Sequence, residues 1–202
     1  VDAIIGPLFT YIAEKFSASG VIIFEKDRLV DALHMTGNRG LSEQEATYFR
    51  EHPLPIGEGS LSGIAFLKKE PQTSTRVFTD ERIQKDLRTM LSIGHHISAS
   101  AFPLTVYEQA VGVLVVFYNT LHEFSEEEVS ILSMLSRFLG ISLENIHNMQ
   151  SLVAEKEKTK SMINSLQDGL IVYDLNGAII EINPRVEELL WVKRADIVGK
   201  SL

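Results

Sequence analysis

The chain has 202 residues, of which 45% are hydrophobic, and a formal net charge of −8. This length favours one complete domain plus a smaller remainder, and the acidic balance with scattered basic residues disfavours a nucleic-acid surface. The chain contains no cysteine, which excludes disulfides, thiolate metal sites and cysteine nucleophiles and fits a cytoplasmic location. No stretch approaches the ~20 uninterrupted apolar residues of a membrane helix, so no membrane contact is expected.

A helix and a β-hairpin are predicted at the start of the chain. Apolar residues recur at helical spacing over residues 4–16, which predicts the helix. The apolar run 21–25 predicts a buried strand, and residues 28–36 are predicted to return as a second strand. Ser42 and Glu45 have the spacing of a capping box, so a short helix should begin there.

The middle of the chain is predicted to carry short elements and then the two strongest strands. A helix is predicted over residues 61–69, a brief strand over 72–75 and a capped helical segment over 80–91. Residues 98–106 and 110–118 are the predicted main strands. The second of these is so apolar that we expect it to lie centrally in the sheet, with both faces covered.

One long helix is predicted over residues 125–166, because Ser125 and Glu128 have capping-box spacing and only Gly140 interrupts the run. Such a helix extends about 60 Å, more than one domain needs. One apolar stripe should pack on the helix's own domain, and a weak heptad seam beside it predicts a parallel homodimer. The predicted interface residues are Ile131, Leu135, Phe138, Ser142, Asn145, Met149, Leu152, Ile163 and Leu166.

The last segment, residues 167–202, has the pattern of a hairpin followed by a helix. An apolar run ends at Asp174, a turn ends at Gly177, and a second run leads to Asn183, which can cap a helix. This pattern resembles the opening of a PAS domain. Two strands and one helix bury too little apolar surface for independent stability. We therefore expect a partial PAS segment, in a chain that stops inside that domain and leans on a neighbour.

The order of elements over residues 1–148 resembles a GAF domain. Phrases typical of that family occur in the ranges 59–65, 72–75, 99–104, 111–116 and 124–128. The resemblance implies an α/β (α+β) domain in which helices flank an antiparallel sheet, with the long helix at its end. Covalent bilin attachment and the methionine-sulfoxide-reducing activity of some members require cysteines that are absent here, and the Asn-Lys-Phe-Asp-Glu signature of cyclic-nucleotide-binding members is absent too.

A ligand pocket of such a domain is expected between the central sheet and residues 77–96. The weak periodicity of that segment is typical of a cover over a cavity. The candidate lining residues are Phe24, Ile64, Phe78, Ile83, Leu87, Met90, His96, Ala101 and Val116. His95 or His96 could serve haem, a metal or an anionic ligand, but structural or solvent-facing histidines are the simpler interpretation because no acidic or cysteine partner lies at ligand spacing. The cofactor is left open between a non-covalent small molecule and haem, with no metal site assigned.

The resemblances imply a sensory input module that relays ligand or partner binding through a dimeric helix to a downstream effector. A sensor histidine kinase is the expected parent, and a cyclic-dinucleotide enzyme or a transcription activator is the alternative. His147 lacks the acidic neighbour and downstream proline of a phosphoacceptor box, and no catalytic residue is assigned to this segment. Two further alternatives are a dimerisation module without a ligand and a GAF-fold enzyme.

Overall fold

The computed structural model describes residues 2–27 and 29–201, with side chains from residue 6 onward. Predicted features at residues 1, 28 and 202, and the first apolar side chains of the opening helix, lie outside the described residues. The chain divides into two compact units, Val1–Ile146 and His147–Leu202. Each unit is described by itself.

The first unit is an antiparallel sheet flanked by helices, as the sequence predicts. Its elements in chain order are α1 (Asp2–Lys15), β1 (Gly20–Lys26), β2 (Ala32–Arg39), α2 (Glu43–Glu51), β3 (Leu54–Pro55), α3 (Leu61–Lys68), β4 (Gln72–Ser74), α4 (Lys85–Ile93), β5 (Ser98–Val106), β6 (Gln109–Tyr118) and the first part of α5 (Glu126–Asn164), a helix that continues into the second unit. The strand order is β3-β2-β1-β6-β5-β4, with antiparallel neighbours throughout. The long apolar strand β6 therefore lies centrally, as predicted.

Two apolar layers cover the two faces of this sheet, because side chains alternate along each strand. In β1, Val21 and Ile23 face a layer formed by α1 and α5, whereas Ile22 and Phe24 face a layer formed by α2, α3 and α4. Strand β6 contributes to both layers and is buried from residue 112 to residue 118. The core of the domain thus lies on both sides of β1 and β6.

Element boundaries depart from the sequence prediction on the cover side of the sheet. The backbone amide of Ile83 donates to the carbonyl of Asp80 at 3.1 Å and closes a turn. Gln84 then has extended backbone angles, so α4 begins at Lys85, later than the predicted residue 80. Asp80 was expected to cap a helix, but its carboxylate instead accepts from the backbone amide of Arg82 within the turn.

Helix α5 belongs to the core through its first half. Leu132, Leu139 and Leu143 are buried against the sheet, and the hydroxyl of Ser136 donates to the carbonyl of Pro103 at 3.1 Å. Among the described residues this helix alone could cross a membrane by length and composition, with a mean hydropathy of 1.2 over 18 residues, of which 28% are buried. Core helices of soluble proteins have the same composition, and these leucines occupy core positions here.

The second unit contains the last part of α5, followed by β7 (Ile171–Tyr173), β8 (Ile179–Ile182), α6 (Pro184–Leu190) and α7 (Arg194–Ile197). Strands β7 and β8 form an antiparallel pair, as predicted. The side chain of Asn183 accepts from the amide of Val186 and caps α6, and it also accepts from the amide of Leu170 at 2.9 Å. A small cluster around Ile179, Ile182 and Val186 supports the pair.

Candidate functional site

A small cavity lies between the sheet and the helices α2, α3 and α4. Its volume is about 30 Å³, which is the share of one water molecule. Its lining is apolar except for two serines and consists of Phe24, Phe49, Leu54, Ser60, Leu61, Ser62, Ile83, Leu87, Leu91, Ala99, Val115 and Phe117. Small-molecule sites usually measure about 300–1,000 Å³, so a ligand could enter only if the residues above the sheet moved apart.

The predicted pocket residues do not all meet at this cavity. Phe24, Ile83 and Leu87 line it, and Ala101 belongs to the same apolar layer without lining the cavity. Val116 was predicted there wrongly, because alternation along β6 turns it to the opposite face, toward α1 and α5.

Three further candidates lie in the helices or the cover rather than in the cavity wall. Ile64 is buried within α3, Met90 is half-buried on α4, and the side chain of Phe78 is 38% exposed. None of the three lines the described cavity. Phe78 was expected to point inward, but its neighbour Val77 is the buried residue of that pair.

The cover, defined as residues 77–96, is held to the sheet at its first end by Arg82. The guanidinium of Arg82 donates to Asp80 Oδ2 and to the carbonyl of Thr73, at 2.6 Å in each case. Its hydrogen bond to Asp80 lowers the pKa of that carboxyl. In the middle of the cover, the amide of Gln84 donates to the carbonyl of Gly59 at 2.8 Å. These bonds close the cover over the cavity.

The last residue of the cover, His96, forms a buried polar cluster with α2. His96 Nε2 lies 2.7 Å from Glu45 Oε1, and His96 Nδ1 lies 3.0 Å from Asn119 Oδ1. His96 is 2% exposed and Glu45 is 3% exposed. The second carboxylate oxygen of Glu45 accepts from the backbone amide and the hydroxyl of Ser42, so the predicted capping box is present and one side chain serves both purposes.

Glu45 remains ionised in this setting. Burial raises the pKa of Glu45, but the hydrogen bonds from Ser42, together with the charge of His96, outweigh that effect, and the pKa is lowered overall. No acidic partner lies at ligand spacing from His96 in the sequence, and its partner Glu45 is 51 residues away. A capping box commits only one oxygen of its glutamate, and the free oxygen was the signal that sequence reasoning missed.

A second polar cluster joins the end of β6 to the start of α5. The hydroxyl of Tyr118 donates to Glu128 Oε1 at 2.6 Å, and His122 Nε2 lies 2.8 Å from Glu128 Oε2. The rings of Tyr118 and His122 are stacked, with centroids 3.7 Å apart. Burial, and then the bond to Glu128, raise the pKa of Tyr118. Ser125 caps the amide of Glu128 as predicted, but the glutamate side chain serves this cluster.

The predicted interface residues of α5 differ in exposure. Phe138, Met149, Leu152 and Leu166 are 63%, 70%, 66% and 47% exposed, Asn145 is exposed, and Ile131, Ser142 and Ile163 are half-buried. Leu135 is also half-buried, and it packs against the core of its own domain because it lies beside the buried stripe rather than opposite it.

Two exposed apolar residues in the part of α5 that belongs to the first unit were missed by the sequence interpretation. Met134 is 64% exposed and Ile141 is 50% exposed. At 100° per residue both lie on the face opposite Leu132 and Leu139. The exposed stripe of the first unit is therefore Met134, Phe138 and Ile141.

The side chains of residues 6–27 and 29–201 form no cluster of metal ligands. No group of three or more His, Cys, Asp or Glu residues there could hold a metal ion. The two histidine–glutamate pairs each contain one carboxylate and one imidazole, which is fewer ligands than a zinc site requires.

Comparison with known proteins identifies two families along the chain. The sequence model of the GAF domain matches residues 5–144, and that of the PAS fold matches residues 157–202. Among curated proteins, none matches the sequence. Solved structures with the same fold include a GAF domain/HD domain protein from Geobacter sulfurreducens, with a TM-score of 0.64 at 19% identity over 72% of this chain and 93% of that one.

Two other solved structures share the fold. A domain of a protein assigned as a two-component sensor histidine kinase from Sinorhizobium meliloti 1021 has a TM-score of 0.61 at 18% identity, over 77% of this chain and 96% of that one. Free methionine-R-sulfoxide reductase from Neisseria meningitidis has a TM-score of 0.56 at 20% identity, over 68% of this chain and 74% of that one. At these identities the likeness concerns the fold alone.

Proposed function

Because the chain belongs to the GAF domain family and its last residues to the PAS fold, we propose that it relays a signal to a downstream effector within a multidomain protein. Both resemblances found in the sequence are confirmed, and the pair of sensory domains indicates a signalling input module. In this proposal the signal passes from the GAF domain to the effector through α5.

The observation that carries this proposal is that α5 belongs both to the GAF core and to the unit that contains the PAS segment. Leu132, Leu139 and Leu143 are part of the GAF core. A change in the packing of the sheet or its two apolar layers would therefore change the position of this helix. The same helix continues to Asn164, and β7 of the PAS segment begins at Ile171. Packed cores respond by discrete shifts rather than by continuous deformation, and a shift of α5 would carry such a response onward.

Dimerisation through α5 is part of the same proposal. An apolar stripe on α5 is exposed to solvent. It consists of Met134, Phe138 and Ile141, with Met149 and Leu152 further along the helix. A second copy of the chain presents the same stripe and covers both when the helices pair in parallel around a two-fold axis. Polar positions such as Asn145 in the seam keep the pairing weak enough to shift.

The parent protein in this proposal is a cytoplasmic sensor histidine kinase. The Sinorhizobium neighbour, whose name assigns it to that class, supports the choice, and the absence of cysteine supports the location. A cyclic-dinucleotide enzyme or a transcription activator would use the same input arrangement. The effector, and not the GAF fold, distinguishes these hosts.

A second candidate function is a dimerisation module that binds no small molecule. The near-filled apolar cavity of about 30 Å³ favours it. Under the first candidate the cover must open for a ligand, whereas under the second the cover stays closed and only α5 matters. A change at the cover that alters the pairing of α5 therefore separates the two.

Cysteine cross-linking tests the relay, because the chain has no cysteine of its own. In a parallel dimer, Leu152→Cys should form an intermolecular disulfide readily, and Glu157→Cys, on the far side of the helix, should not. Adding His96→Gln loosens the end of the cover and should change the Leu152→Cys rate by about threefold or more, equivalent to ~0.6 kcal/mol. An unchanged rate would favour the dimerisation module, and equal rates for Leu152→Cys and Glu157→Cys would refute parallel pairing.

A further inference from the structure

The first unit has a solvent-open groove of about 580 Å³ that shares no lining residue with the cavity under the cover. Three parts of the chain form it, namely the connection after α3, the end of the β5–β6 hairpin and one face of α5. Its lining consists of Lys69, Pro71, Pro103, Thr105, Tyr107, Glu108, Ser133, Ser136 and Arg137. The volume falls in the range of small-molecule sites, about 300–1,000 Å³.

Two cationic side chains in this groove have no partner among the described residues. Neither the ammonium of Lys69 nor the guanidinium of Arg137 makes a hydrogen bond or an ion pair there, although the chain carries a net charge of −8. The hydroxyls of Thr105 and Ser133 in the same lining also make no hydrogen bond within the described chain. Donors for an anion are therefore available from α3, β5 and α5 together.

Strained backbone conformations surround the same groove. The structure describes six residues other than glycine with positive φ, and three of them line it: Lys69 (58°), Tyr107 (45°) and Glu108 (65°). Lys69 occupies the left-handed position that ends α3, where glycine is usual. Tyr107 and Glu108 form a two-residue hairpin turn that favours Asn-Gly. Left-handed backbone is unfavourable for residues other than glycine, and strain of this kind clusters at functional sites.

The groove walls are held by bonds that do not use these donors. The hydroxyl of Ser136 donates to the carbonyl of Pro103 at 3.1 Å and fixes α5 against β5. Gly140 allows the close approach, since a Cβ there would lie 3.1 Å from the backbone nitrogen of Thr105. The groove is thus a preformed feature of the fold rather than a gap between loosely packed parts.

We propose that this groove binds a small phosphorylated ligand, with Lys69 and Arg137 holding the phosphate and Tyr107 offering its ring at the rim. A planar guanidinium and an ammonium supply charge-assisted hydrogen bonds to phosphate oxygens. Tyr107 is 97% exposed, so a ring or apolar part of the ligand can cover it. Glu108 repels a bare anion and favours a ligand whose remaining part carries hydroxyl or amino donors.

The test is an NMR titration of the 202-residue chain with inorganic phosphate, with ionic strength held constant by chloride. Saturable shifts of the Thr105 and Ser133 amides are expected. Arg137→Gln and Lys69→Gln should each weaken the affinity about tenfold, and Glu108→Gln should strengthen it. The matched controls are Lys68→Gln and Arg88→Gln, which remove a positive charge of the same type outside the groove and should leave the affinity unchanged.

A second variant separates binding from folding. Lys69→Gly relieves the left-handed strain, so it should raise the melting temperature while weakening phosphate binding as much as Lys69→Gln does. The proposal fails if phosphate produces no saturable shift. It fails equally if Lys68→Gln weakens binding as much as Lys69→Gln, because the chain would then attract phosphate only as a diffuse counterion.

Discussion

His96 Nε2 and Glu45 Oε1 lie 2.7 Å apart in an almost fully buried pair that joins the end of the cover to the first turn of α2. The geometry leaves little room around the pair, since a Cβ at Gly94 would overlap the Glu45 carboxylate. His96 also packs on Phe117, with ring centroids 4.7 Å apart. The position of the last residue of the cover against α2 therefore depends on one carboxylate.

Acid should weaken the domain through Glu45. Its pKa in the folded protein lies below the ordinary value of 4.5, so the unfolded chain binds a proton more readily than the folded one. The stabilisation is complete above that ordinary value and is lost as the pH falls through the folded pKa. Urea unfolding of the parent chain between neutral pH and pH values below 4.5 should show this loss, and Glu45→Gln should remove this part of the pH dependence.

Glu45→Gln should also lower the free energy of unfolding at neutral pH by about 1–3 kcal/mol, because it weakens buried hydrogen bonds. Glu43→Gln is the matched control in the same helix turn. The side chain of Glu43 is 92% exposed, so its replacement should change stability by less than about 0.5 kcal/mol. Equal effects of the two substitutions would show that the pair of Glu45 and His96 adds nothing to the free energy of unfolding beyond the effect of an exposed glutamate.

Alkali should act on the other polar cluster, through Tyr118. Its pKa in the folded domain is raised above 10.0 by burial and by the bond to Glu128. The stabilisation from its neutral phenol is complete below the unfolded value and is lost as the pH rises through the folded pKa. Tyrosinate absorbance should therefore show one phenol that ionises only on unfolding, and Tyr118→Phe should abolish that component.

Tyr118→Phe should lower the free energy of unfolding by about 1 kcal/mol at neutral pH, since one buried hydrogen bond is lost. Tyr107→Phe is the control, because that side chain is 97% exposed. A phenol component that persists in Tyr118→Phe, or a stability loss of the same size in Tyr107→Phe, would contradict the assignment.

Most of the fold could be predicted from the sequence because it follows from local patterns. Residues close together in the chain form each of these features. They are the apolar runs of β1, β5 and β6, the capping box at Ser42 and Glu45, and the Asn183 cap of α6. The start of α4 could not be predicted in this way. Asp80 is a plausible N-cap, and only the bonds of Arg82 to the Thr73 carbonyl of β4 and to the Asp80 carboxylate show that Asp80 belongs to a turn instead.

The candidate site was less predictable because it depends on which face a side chain takes and which distant residue it meets. Alternation along β6 sends Val115 to the cavity and Val116 to the other face, and a shift of one residue in the assumed register exchanges them. The pairing of Glu45 with His96 and of Tyr118 with Glu128 is set by the tertiary fold. The capping box leaves one oxygen of Glu45 without an assigned partner, but spacing within the sequence does not identify which distant residue fills that role.

Enlarging the cavity tests whether the space under the cover can hold a ligand. Leu87→Ala removes a side chain that lines it and should cost about 2–5 kcal/mol. The larger apolar cavity should then bind benzene, as dry engineered cavities do, and benzene should raise the melting temperature of this variant.

Leu114→Ala is the matched control for that experiment. Leu114 is fully buried in the opposite layer, toward α1 and α5, so its loss should cost a similar free energy. Benzene rescue of Leu87→Ala without rescue of Leu114→Ala would locate accessible space under the cover. If benzene stabilises neither variant, the cover does not admit small apolar molecules, and the dimerisation module becomes the better function.

The exposed stripe of α5 should control the oligomeric state. Phe138 and Met149 are 63% and 70% exposed, and in a parallel homodimer each would face its own copy across the seam. Phe138→Glu with Met149→Glu should place like charges together and give a monomer in sedimentation velocity, with the circular dichroism of the domain unchanged. Gln150→Glu adds the same charge on a different face and should stay dimeric, whereas Leu135→Glu should unfold the domain because Leu135 packs on the core. A monomeric parent chain at micromolar concentration, or a double variant that remains dimeric, would exclude this stripe as the interface and leave the relay through α5 without its second helix.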